Sequence, residues 1–100
     1  MKLKFRQWNC VLQTAQYGNG RTALQLVDAE DGEPVATATV NLPDETLGEN
    51  EVFIKDYAEN EGMLKTLQDA GIVEPTGKVV ASGFVAIPVC RLTGAYDHGQ

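Results

Sequence analysis

Hydrophobic and polar residues alternate along most of the chain with the two-residue period of a half-buried strand, and one stretch switches to a helical period. In Lys2–Ala15 the alternation changes phase midway. Leu3 and Phe5 share one face, whereas Trp8, Cys10 and Leu12 share a face of opposite parity. An even-spaced strand cannot put both sets inside, so the pattern predicts an inserted residue, a β-bulge or bend, near Arg6–Gln7. "QYGNGR" then offers residues that accept positive φ and reads as a hairpin turn. Arg21–Asp28 is a second strand, with Leu24 and Leu26 on one face and Gln25 and Val27 on the other. Asp31–Gly32 marks a second hairpin, and Pro34 can open a strand without costing a ladder bond. Val35–Leu42, "VATATVNL", is rich in β-branched residues and completes a three-stranded antiparallel meander.

"PDETLGEN" reads as a loop in which only Leu47 can pack inward, and Glu51–Lys55 as a short strand around Val52, Phe53 and Ile54. A helix follows over about residues 57–70. Asp56 and Glu59 have the spacing of a capping box, with Tyr57 the first helical residue. Tyr57, Met63, Leu64, Leu67 and Ala70 gather on one side, opposite Glu61, Lys65 and Asp69. Gly71 stands where a left-handed C-terminal cap belongs, and Ile72 can touch Leu67 as in a Schellman ending. Gly62 falls on the polar side at a cost of about 1 kcal/mol relative to alanine. Asn60 falls in the middle of the apolar side. Either the helix restarts after it and Asn60 caps the next turn, or its amide is buried against sheet backbone, or it contacts a ligand.

"EPTGK" reads as a turn, and Lys78–Leu92 as a short strand, a break at Ser82–Gly83 and a long strand from Phe84. Both faces of that last strand are apolar: Phe84, Ala86, Cys90 and Leu92 on one, Val85, Ile87 and Val89 on the other. Pro88 cannot donate to a ladder and predicts an edge strand or a bulge. Two apolar faces on an edge strand imply either cover on both sides or pairing with a partner chain. The expected fold is α+β: an antiparallel sheet made of the N-terminal meander and two or three further strands, with one amphipathic helix packed on it.

One hundred residues, 43% hydrophobic and 22% charged, suit a single domain over 1–100, with 93–100 expected as a flexible tail. The N-terminus "MKLKFRQWNC" lacks the continuous apolar run of a signal peptide, and no stretch approaches the roughly 18 consecutive apolar residues of a membrane helix. A cytoplasmic protein without membrane association is expected.

Catalytic chemistry is hard to find. Cys10 and Cys90 read as reduced, partly buried thiols; neighbouring strands would allow a disulfide between them, but nothing local demands one. The one histidine, His98, lies in the tail, so a cysteine–histidine nucleophile is not expected. No cysteine or histidine pairs have metal-ligand spacing, and "GNG" joins strand to strand, where it cannot cradle phosphate. "DAEDGE" imitates a calcium loop over a few positions but lacks the closing glutamate and flanking helices. The chain is expected to be no enzyme and to need neither cofactor nor metal.

Charge is more informative. The net charge is -6, and it is unevenly spread. Residues 1–27 carry Lys2, Lys4, Arg6 and Arg21 and no acid, whereas residues 28–61 carry eleven acids against Lys55 alone. Such a middle third repels a phosphate backbone, so direct nucleic-acid binding is not expected. It is either a solvated rim that keeps the protein soluble or a docking face for a basic partner.

Three stretches taken together, "QYGNGRTALQLVDAEDGEPVATATVNLP", "IKDYAENEGMLKTLQDAGIV" and "GFVAIPVCRL", resemble a family of small uncharacterised proteins of bacteria, their phages and other mobile elements. The resemblance covers residues 17–92, and "KDYAENEGML" is its most distinctive part. It carries over no catalytic residue. It implies an accessory protein, and small acidic accessory proteins of phages often act by binding and inhibiting a host protein. The leading expectation is therefore an anti-defence (anti-CRISPR-like) inhibitor, monomer or homodimer, whose acidic face occupies a basic, nucleic-acid-binding surface of a host protein. Its contact residues would be Asp44, Glu45, Leu47, Glu49, Glu51, Asp56, Tyr57, Glu59, Asn60 and Glu61, with Leu47 or Tyr57 as apolar anchors. A second expectation is a binder of a small ligand or nucleotide signal, using Asn60, the Gly62 amide and Arg21 or Arg91. A third is a structural subunit whose last strand pairs between chains.

Overall fold

In the computed structural model, which describes residues 2–94, the phase change in the first segment is met by a reversal of the chain and not by a bulge. Strand β1 (Lys2–Phe5) ends at Arg6–Gln7, and β2 (Trp8–Gln16) returns antiparallel, with Phe5 opposite Trp8 and Leu3 opposite Cys10. Cross-strand partners share a face. A two-residue turn therefore brings Leu3, Phe5, Trp8, Cys10 and Leu12 to one side. Arg6 adopts φ 56°, a left-handed conformation uncommon outside glycine. It is held there by its guanidinium, which donates to the Glu61 carbonyl at 3.1 Å and lies 5.4 Å from the Phe5 ring centroid.

Strands β3 (Thr22–Asp28) and β4 (Pro34–Thr37) follow through the two glycine turns, giving a four-stranded sheet in the order β1-β2-β3-β4. β4 is shorter than the expected Val35–Leu42. Past Ala38, whose N–H still donates to the Leu24 carbonyl at 2.8 Å, the chain leaves β3 and crosses to the second sheet, where Thr39 bridges Ile54 and Val40 N–H donates to the Phe53 carbonyl at 3.1 Å. Thr39 makes the departure affordable. It is buried, and its Oγ1 accepts the Leu24 N–H at 3.2 Å and bonds the Tyr17 hydroxyl at 2.8 Å, so a side chain replaces a lost ladder partner.

The second sheet has the order β5-β7-β6, from β5 (Glu51–Phe53), β6 (Val73–Ser82) and β7 (Val85–Leu92). The last strand is thus central, not an edge. Cys90 and Arg91 pair on both sides, whereas Val85–Ile87 pair with β6 alone among the described residues. Pro88 is accommodated just past the last β5 pair, Phe53↔Val89, where its carbonyl accepts Ile54 N–H at 3.1 Å. On the other side it faces Val79, where the register of β6 shifts. "EPTGK" is that irregularity inside β6, with Gly77 at φ 87°, and not a turn between elements.

The expected helix over 57–70 is two pieces. A 3-10 turn (Ala58–Asn60) is followed by Gly62 at φ 95°, and only then by α1 (Met63–Asp69). Gly62 is the left-handed joint between them. Asp56 does cap, but one piece later than its spacing implies: its Oδ1 accepts Leu64 N–H at 2.9 Å. Asn60 caps nothing. It is 2% exposed, and its Nδ2 donates to the Thr37 carbonyl at 2.7 Å, so the buried-amide account of this residue holds. The helix ends as expected, with Gly71 at φ 76° and the Schellman bonds Ile72 N–H to Leu67 O and Gly71 N–H to Gln68 O.

The fold is α+β. The main core takes Phe5, Cys10, Leu12, Leu24, Leu26, Val52, Ile54, Met63, Leu67, Ile72, Val73, Cys90 and Leu92 from both sheets and the helix. α1 packs on both β1 and β6, one outer strand of each sheet. A second, smaller core of Phe53, Ile87 and Val89 lies on the opposite face of β7, covered by Val40, Leu42, Leu47 and Tyr57. That cover explains the two apolar faces of the last strand. No helix among the described residues is long and apolar enough to cross a membrane. Of the expected tail, Thr93 donates to the Gly71 carbonyl at 2.6 Å, and residues 95–100, with His98, lie outside the described residues.

Candidate functional site

The acidic connection from β4 to β5 is anchored from several sides. The Arg21 guanidinium donates to the Leu42 carbonyl at 2.7 Å and to that of Glu45, and sits 5.9 Å from the Phe53 ring centroid. Asn19 Nδ2 donates to Asn41 Oδ1 at 3.1 Å, and Leu47 tucks onto the second core. At the far end Glu51 folds back to accept Gly48 N–H at 2.8 Å, which, with Lys78 beside it, holds its carboxyl below the usual carboxylate range. The loop thus has a defined shape although it is neither helix nor strand. Asp44, Glu45 and Glu49 project from it, exposed and without an ion pair among the described residues.

The ten expected contact residues therefore separate by role. Asp44, Glu45, Glu49 and Glu61 are exposed and free of ion pairs among the described residues. Glu59 is exposed but paired with Lys55, and Glu51 with Lys78. Asp56 holds the helix amide through Oδ1, and Asn60 is buried and bonded to sheet backbone, so Asn60 is not available to a partner. Leu47 and Tyr57 are half-buried parts of the second core, not free anchors. The exposed large apolar side chains are elsewhere: Phe84, fully exposed, Val79 and Trp8. Phe84 was expected on the strand face with Ala86. It instead occupies the second position of a two-residue turn after Gly83 at φ 59°, between the paired Ser82 and Val85. Reading Gly83 as the first residue of a tight hairpin would have found it.

The small-ligand site is not assembled. Asn60, Gly62 and Arg21 border three different cavities, and Arg91 is paired with Glu74. The largest of those cavities, 440 Å³, lies between the β4–β5 crossing and the segment Lys55–Asn60. Its polar groups are largely spent on one another: Tyr17 with Thr39, Lys55 with Glu59, Asn60 with Thr37. No group of three or more metal-ligating side chains is found among the described residues.

Cys10 and Cys90 are buried and unpaired in the main core, on strands of different sheets. Burial, with a smaller contribution from Asp56, pushes the Cys90 thiol from 9.0 up to about 11. A folded-state pKa above the unfolded one adds stability below pH 9 and loses it as pH rises from 9 toward 11. Denaturation of wild type against Cys90→Ala should show an extra alkaline loss of about 1–2 kcal/mol in wild type alone. Parallel pH curves would mean that this thiol is solvated in the native protein.

Comparison of the chain with protein-family models, with curated proteins and with solved structures finds no match in any of the three.

Proposed function

We propose that this chain is a non-enzymatic binding protein that presents Asp44, Glu45 and Glu49 to a basic surface of a partner protein. The observation that carries this reading is the anchored loop: three unpaired carboxylates on backbone held by Arg21, Leu47 and the Glu51–Gly48 bond. Binding through a preformed loop avoids much of the ordering cost that a mobile acidic segment incurs. Fixed carboxylates can also stand in for phosphates on a surface built for nucleic acid. This suits the partner implied by the resemblance to phage and mobile-element proteins, a host protein whose basic face ordinarily holds nucleic acid. In that setting the chain acts as an inhibitor by occupancy.

The test is affinity capture from bacterial lysate with wild type and with the triple variant D44K/E45K/E49K, followed by titration of the captured protein at several salt concentrations. The three positions touch no core, so the variant should fold. Its affinity should fall at least about tenfold and its salt dependence should flatten, because opposed charges govern encounter and register. Equal affinity for the captured partner would remove the acidic face from the account.

A further inference from the structure

We infer that the outer end of the β6–β7 hairpin, together with the neighbouring loop acids, is a docking surface for a cationic amphipathic segment of the partner protein. This rests on the acidic-face reading and adds the apolar half of the site. In the outer hairpin Val80, Val85 and Ile87 point to the second core. The alternate positions Val79, Ala81 and Ala86 point away from it and are exposed, with Val79 at 64%. Val79 faces Pro88 and Ala81 faces Ala86 across the ladder, so these four side chains share one face. At its tip stands Phe84, at 109% relative exposure. The turn itself requires glycine only at Gly83, and nothing among the described residues packs on the ring of Phe84. An aromatic side chain held in water beside a contiguous apolar strand face marks a contact surface, unlike a lone exposed leucine.

The occupant follows from charge. A 180 Å³ cavity lined by Leu42, Pro43, Asp44, Glu45, Ala81 and Ser82 sets the loop residues that carry these two acids beside the end of this hairpin, around the edge of β6. A second copy of this chain would bring like charge to that border, on molecules each carrying -6. A segment with apolar residues on one side and Lys or Arg on the other satisfies both halves of the surface, as when amphipathic helices bind apolar grooves rimmed by acid.

Three synthetic peptides of equal length serve as probes: leucine with lysine, serine with lysine, and leucine with glutamate. Isotope-labelled protein titrated with the leucine–lysine peptide should shift amides at residues 79–86 and 44–45. Phe84→Ser should weaken that peptide at least about tenfold and leave the serine–lysine peptide unchanged. D44K/E45K should weaken both lysine peptides, and the leucine–glutamate peptide should not bind. If F84S leaves the leucine–lysine affinity intact while D44K/E45K reduces it, the hairpin surface is overturned and the acidic-face reading stands. If D44K/E45K has no effect on either lysine peptide, both readings fall. Sedimentation showing a dimer that F84S abolishes would assign the surface to a second copy and overturn the proposal.

Discussion

Phe53→Ala is expected to cost roughly 3–5 kcal/mol, as large aromatic-to-alanine changes in packed cores do. Phe53 is 1% exposed, and with Ile87 and Val89 it forms the whole fully buried part of the second core. The side chains laid on it, Val40, Leu42 and Leu47, belong to the acidic connection, and the Arg21 guanidinium that ties this loop stands over its ring. Removing the ring opens a cavity and withdraws the floor from the loop together. The loss is a large share of the roughly 5–15 kcal/mol that holds a domain folded. Urea denaturation measures it, and amide exchange should show residues 42–48 opening more easily than those of β2 and β3. A loss below about 1 kcal/mol, with unchanged exchange in the loop, would show that the second core contributes little and that other contacts shape the acidic rim.

Leu67→Ala should cost roughly 2–5 kcal/mol and also promote aggregation. A seven-residue helix is too short to persist by itself in water. Asp56 and the Gly71 cap secure its two ends, but Met63 and Leu67, both fully buried, dock it. It packs on β1 and β6, one outer strand of each sheet, so loosening it frees two edge strands to pair between molecules. Denaturation gives the energy, and light scattering against concentration gives the aggregation. A destabilised variant that stays monomeric at high concentration would mean those edges are guarded by something other than the helix.

Much of the strand pattern was legible because it is local. The Asn19–Gly20 and Asp31–Gly32 turns and the Schellman end at Gly71 each depend on neighbours a few residues away. The β1–β2 turn was not legible. Arg6 carries no turn signal, and its positive φ is held by the carbonyl of Glu61, far along the chain. The capping box was half right: Asp56 caps, but Gly62 breaks the helix first and passes the bond to Leu64. Of the contact residues, the exposed loop acids could be read from charge alone. Which alternative holds for Asn60, which amide Asp56 caps and what Leu47 packs on could not, because their partners are a β4 carbonyl, a helix amide and the far face of β7.

By itself, then, the sequence determined an antiparallel, glycine-turned α+β chain with its negative charge gathered in the middle third, since periodicity, turn chemistry and charge are written in short windows. Tertiary structure alone decided that the last strand is central despite Pro88, that the acidic loop roofs a second core, and that Phe84 stands in solvent at a hairpin tip. Strand order and the covering of faces are settled by which distant apolar surfaces bury one another, and no short window of residues contains both partners.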